Sequence, residues 1–91
     1  MGIKTVKYNA KELDKLPNDK PVNYKILTAS GSTNYDGIAK RGRVPERIKE
    51  HLGEIPGAKV VIEQFSSIAE ARQKEKNIIS RTKPKYNKQG W

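Results

Sequence analysis

The side chains able to do chemistry gather in one stretch, Asn34 to His51. It holds a phenol at Tyr35, a guanidinium at Arg47 and the chain's single imidazole at His51, around the basic loop Lys40-Arg41-Gly42-Arg43. Pro45 suits a first helical position, where its missing N–H is no loss. A helix from Pro45 to Leu52 puts Val44, Ile48 and Leu52 on one apolar stripe, with Arg47 and His51 together on the stripe beside it. A phosphodiester is already an anion, so its hydrolysis needs a deprotonated water and cations on the phosphoryl oxygens. A phenol, an imidazole and guanidinium groups suit that task.

A further candidate lies on the helix that Ser67-Ile68-Ala69-Glu70 opens as a capping box and that runs to about Arg81. Ile68, Ala71, Ile78 and Ile79 make its apolar face, and Glu75 falls on that face. A carboxylate turned toward a core is costly unless it is paired or holds a cation. Glu75 is thus either one half of an ion pair with an arginine across the fold or a metal ligand beside a phosphate.

These residues need elements to position them. The 91-residue chain, 34% hydrophobic and 32% charged, has the length of one domain with a small core. It contains no cysteine, which excludes a disulfide framework and thiolate metal sites. No run approaches the roughly 18 apolar residues of a membrane span, so a cytoplasmic protein with no membrane partner is expected. Nineteen Lys and Arg against ten Asp and Glu give a net charge of +9 and a pI near 9.9. Five of the ten residues from Lys40 to Lys49 are basic, as are seven of the twenty from Arg72 to Trp91. Such an excess favours a polyanionic partner, because binding phosphates releases condensed counterions.

Residues 1–20 read as an N-terminal extension. Residues 1–8 alternate weakly, as an edge strand or a flexible arm would, and Asn9 caps a short helix over Ala10 to Leu16 that Pro17 stops. Strands are expected at Pro21–Thr28 and Thr33–Ala39, joined by a hairpin at Ala29-Ser30-Gly31-Ser32. The helix at Pro45 ends at Gly53, a left-handed cap. Ala58–Phe65 is the next strand, and its continuous Val60-Val61-Ile62 run suggests burial on both faces. The order is β-β-α-β-α, an α+β domain over 21–88, with 89–91 as the C-terminal end.

In that order the chain resembles the GIY-YIG nuclease family. The resemblance rests on a strand tyrosine (Tyr24), a second in Tyr35-Asp36-Gly37, Arg47 with His51, Glu75, and a closing Lys83-Pro84-Lys85-Tyr86-Asn87. The segment from Glu75-Lys76-Asn77-Ile78-Ile79 onward is similar to the end of the catalytic domain of the bacterial excision-repair incision subunit. The resemblance implies a three-stranded, mostly antiparallel sheet flanked by helices. It also implies hydrolysis of nucleic-acid phosphodiesters, with DNA the expected substrate, using one divalent cation, Mg2+ or Mn2+. Glu75 would hold the metal, and Arg47 would contact the scissile phosphate. Tyr24 and Tyr35 would flank the attacking water, His51 would assist the proton transfer, and Asn87 would position a neighbouring group. Lys40, Arg41, Arg43, Lys83, Lys85 and Lys88 would bind the phosphate backbone. A protein partner or host domain would supply specificity, as is usual in the family.

The chain departs from the family pattern at Val22-Asn23, where Gly-Ile is usual, and at Asp36 and Ile38. Asn23 and Asp36 fall on the strand face opposite the tyrosines and are expected to be neighbours across the hairpin. That makes the face polar, predicting either its solvation or reduced stability. The rival reading keeps the fold as a nucleic-acid-binding module with little or no turnover. A basic structural or ribosome-associated protein would explain the charge but not Glu75.

Overall fold

The computed structural model describes residues 3–82. Its elements are β1 (Ile3–Lys7), α1 (Ala10–Leu13), β2 (Val22–Leu27), β3 (Thr33–Ala39), α2 (Val44–Lys49), β4 (Lys59–Gln64) and α3 (Ile68–Thr82). The domain is α+β, but its sheet has four strands, in the order β1-β4-β2-β3, where three were expected. All three pairings are antiparallel.

The additional strand is β1, from the N-terminal extension. Its register on β4 runs from Ile3 opposite Glu63 to Lys7 opposite Lys59. Only Val6 of its five residues is buried. One inward side chain leaves almost no alternation, so main-chain pairing with β4 carries the strand. The extension also feeds the core, since Leu13 and Leu16 are buried beside Val6.

Register determines the faces of the sheet, because directly opposed residues point the same way. Tyr24 lies between Gly37 and Ile62, and Ile26 between Tyr35 and Val60. This face packs on α1 and α2 through Leu13, Leu16, Val44 and Ile48. The opposite face carries Asn23, Lys25, Asp36 and Ile38, and α3 packs over β3 and β2 there. Val60 and Ile62 are buried but Val61 is only half-buried. The apolar run therefore marks a central strand rather than full cover on both faces, because α3 lies over β2 and β3.

Helix boundaries shift by a turn. Asn9 caps α1 as expected, its Oδ1 accepting from Glu12 N at 2.8 Å, but the helix closes at Leu13 and Leu16 follows in a tighter turn. Likewise α2 ends at Lys49. His51 N and Leu52 N bond three residues back, to Ile48 and Lys49, before Gly53 turns the chain at φ +87°. At α3, Ser67 Oγ accepts from Glu70 N, whereas the Glu70 carboxylate takes the Ser66 hydroxyl, so only half of the capping box forms.

Candidate functional site

Three rings, from β2, β3 and the turn after α2, meet on the β2–β3 side of the sheet. Tyr24 of β2 is fully buried, and its hydroxyl lies 2.7 Å from Nε2 of His51, in the turn after α2. Tyr35 of β3 is half-buried, its ring centroid 4.5 Å from that of His51 and 6.0 Å from that of Tyr24. The tightened turn after α2 carries His51 inward to the tyrosines while Arg47 stays half-exposed.

Gly37 makes the meeting possible. A Cβ there would lie 2.7 Å from the Tyr24 hydroxyl and 2.8 Å from Tyr35 Cε2. Any side chain at 37 would displace one tyrosine or both. The glycine of Tyr35-Asp36-Gly37 thus acts through the space it leaves empty.

The electrostatics assign states to these groups. Burial pushes the Tyr24 phenol well above its ordinary value, the neighbouring Tyr35 adds to this and Arg47 opposes it. Burial and then Arg47 hold His51 below the ordinary imidazole value, so it is neutral near pH 7. A protonated phenol therefore faces a neutral imidazole. If the phenol donates to Nε2, the ring proton sits on Nδ1.

Arg47 Nη1 donates to Glu50 at 2.8 Å, which leaves most of its five donors for another partner. It lines a cleft of about 340 Å³ with Ile38, Ala39, Lys40, Arg43 and Arg72. Asn18 anchors the basic loop: its carbonyl accepts from Gly42 N and its Oδ1 from Val44 N. Arg41 lines an adjoining cleft with Lys20 and Lys40.

Glu75 is half-buried on α3 and has no ion pair among the described residues. Burial raises its carboxyl above the ordinary value, while Arg72 and then Arg47 pull it down. The arginine across the fold, Arg47, thus acts on Glu75 through its field and not through a contact, as does Arg72 on the same helix. No group of three His, Asp or Glu side chains occurs among the described residues. A single carboxylate fits a hard cation that keeps several waters and takes substrate oxygens, which is the habit of magnesium. Glu75 is the side chain suited to hold it.

Tyr24, Tyr35 and His51 are thus in contact, and Arg47 and Glu75 lie within their electrostatic reach. Lys40 and Arg43 share the cleft of Arg47, and Arg41 lies one cleft away. Asn87, Lys83, Lys85 and Lys88 lie outside the described residues. Sequence reasoning missed Arg72, although its place three before Glu75 on one helix face was a usable signal. No family model matches the chain, and no curated protein matches it either. Among the described residues no helix is long and apolar enough to cross a membrane.

Proposed function

We propose that this domain is a metal-dependent nuclease of the GIY-YIG type, hydrolysing phosphodiesters of nucleic acid, with DNA the expected substrate. The observation that carries the reading is the buried 2.7 Å contact between Tyr24 and His51, with Tyr35 against the same imidazole and Arg47 beside it. Packing alone does not call for a neutral histidine aimed at a buried phenol, with Arg47 of the cationic cleft beside it.

In this reading the substrate phosphate enters the cleft beside Arg47, whose spare N–H donors bind the phosphoryl oxygens and stabilise the charge that builds there. Tyr35, the more accessible tyrosine, orients the attacking water. The water oxygen bonds to phosphorus, and its proton passes to Nδ1 of neutral His51, in the tautomer whose Nε2–H donates to the Tyr24 oxygen. The bond from phosphorus to the leaving oxygen breaks, and that oxygen takes a proton from solvent. Tyr24 stays protonated throughout and keeps the imidazole in place. A divalent cation on Glu75 would supply Lewis-acid polarisation of the phosphate and a more acidic water.

A second reading, a binding module with little turnover, draws on two observations. Tyr24 is closed to solvent, and Arg47 is already engaged by Glu50. Incubating the protein with labelled DNA and RNA of several structures, with manganese or with chelator, separates the two. Manganese-dependent products that vanish in chelator support the nuclease. Salt-sensitive binding without products under every condition leaves the binding module.

A further inference from the structure

Among the described residues Arg72 has no carboxylate within salt-bridge distance, whereas the other guanidiniums of its cleft do. Arg47 pairs with Glu50 at 2.8 Å and Arg43 with Glu46 at 3.4 Å. Arg72 is exposed on α3 and lines the same cleft of about 340 Å³, which has no acidic residue in its wall. Cations brought together from a loop and two helices repel one another, and an anion between them relieves that cost.

The clefts also join. Arg72 and Ile38 are shared with a neighbouring cleft of about 330 Å³ that contains Glu75 and Lys76. On the other side Lys40 is shared with a cleft of about 550 Å³ that contains Lys20 and Arg41. The three hollows are thus linked in series through shared residues, each with at least two cations in its wall, with Asp19 in the wall at one end and Glu75 in the wall at the other. A single phosphate needs one hollow. A linked series of three suits the repeating charge of a polymer.

We infer that Arg72 binds a backbone phosphate and that the three clefts together seat one polynucleotide strand, entering past Lys20 and leaving past Lys76. The inference deepens the nuclease reading and rests on it for the identity of the polymer. Neither Arg72 nor Lys20 belongs to the tyrosine–histidine centre. Both act by fixing where the strand lies relative to Arg47.

The test is binding of a short fluorescent single-stranded DNA in chelator, over a range of salt, with Lys4→Ala as the control. Lys4 is exposed on β1, at the sheet edge farthest from β3, and its loss removes the same charge. Arg72→Ala should weaken binding about tenfold, the scale of one charge-assisted hydrogen bond, and reduce the salt slope by about one. Arg72→Lys should restore the slope but not the full affinity, because the ammonium lacks the guanidinium fork. Lys20→Ala should act in the same direction as Arg72→Ala. Affinity and slope for Arg72→Ala equal to those of Lys4→Ala overturn the inference. So does displacement of the strand by inorganic phosphate as readily as by unlabelled DNA at matched ionic strength. Cleavage by the wild type with an unaffected Arg72→Ala sinks this inference alone. Absence of cleavage with affinity lost at Arg72 sinks the hydrolytic reading alone.

Discussion

Asn23 and Asp36 stand on neighbouring strands, diagonal to each other and two residues off direct opposition, and are joined by a hydrogen bond from Asn23 Nδ2 to Asp36 Oδ1. Asn23 Nδ2 also reaches the Gly37 carbonyl, at 3.2 Å. Both residues are buried on the face that α3 covers, so the polar face is neither solvated nor apolar. The pair ties β2 to β3 at the level of the site and holds Gly37 between the two tyrosines.

The carboxyl of Asp36 predicts a pH dependence of stability. Burial pushes it up to about 7, against Asn23, Lys25 and Lys74, which favour the charged form, while Glu75 adds to the rise. An unfolded aspartate ionises near 3.9, so between about pH 4 and 7 the folded state binds more protons than the unfolded one. Stability should therefore fall as pH rises through that window and level off above it, by on the order of 2–4 kcal/mol from this group. Thermal melts from pH 4 to 8 read the slope, and Asp36→Asn should flatten it. An unchanged slope in the variant would assign the effect to another group.

Much of this arrangement is legible in the sequence. The alternation of Val22, Tyr24 and Ile26 against Asn23 and Lys25 puts the tyrosine and the amide on opposite faces, and a hairpin at Gly31 brings Asp36 next to Asn23. Burial of that pair was not legible, because strand periodicity does not say which face a later helix covers. β1 was uncertain because one buried valine in five residues makes no pattern. His51 was expected on a helix beside Arg47, whereas a tightened turn carries it inward. Hydrogen bonding three residues back leaves no mark in the side-chain types. Arg72 sits three before Glu75 on one helix face, but only the cleft it shares with Arg47 sets it apart from the other exposed arginines of a +9 chain.

Gly37→Ala should damage the site at its narrowest point. The added methyl falls within 2.8 Å of both tyrosines, and forcing it in costs about 1–3 kcal/mol. Displacing Tyr24 also breaks its contact with His51 and opens the imidazole to water. The melting temperature should fall, and the His51 titration followed by NMR should move up toward the ordinary value of about 6.5 as burial is lost. A variant with wild-type stability and an unmoved imidazole would show that the tyrosines tolerate the crowding.

Tyr35→Phe separates chemistry from binding. It removes one oxygen from a half-buried ring, so the fold and the tilted ring contact with His51 should survive. If the hydroxyl orients the attacking water, turnover should drop by about 100-fold, the scale of general acid–base groups, with DNA affinity nearly constant. The acid limb of the pH–rate profile should report His51, and because burial and Arg47 lower its value, that limb should lie below the ordinary imidazole value. Undiminished turnover in Tyr35→Phe would reduce this residue to packing.

Glu75→Gln bears on the whole catalytic proposal. The carboxyl is half-buried, raised by desolvation and without an ion pair among the described residues. A group whose folded value lies above its unfolded one destabilises the folded state once pH exceeds the unfolded value, so at neutral pH the charge is a liability. Replacing it with a neutral amide should leave the melting temperature in chelator unchanged or raise it. DNA affinity in chelator should hold or rise, since a negative charge beside the phosphate track is gone. Cleavage should collapse at every magnesium or manganese concentration, because the amide carries no charge to attract the cation. Had Glu75 been half of a buried ion pair, the same change would strand a buried cation at a cost of about 3–5 kcal/mol. Melts of both proteins in chelator, run beside a cleavage assay, therefore give opposite signs for the two roles. A variant that melts lower yet still cuts would remove Glu75 from the metal site.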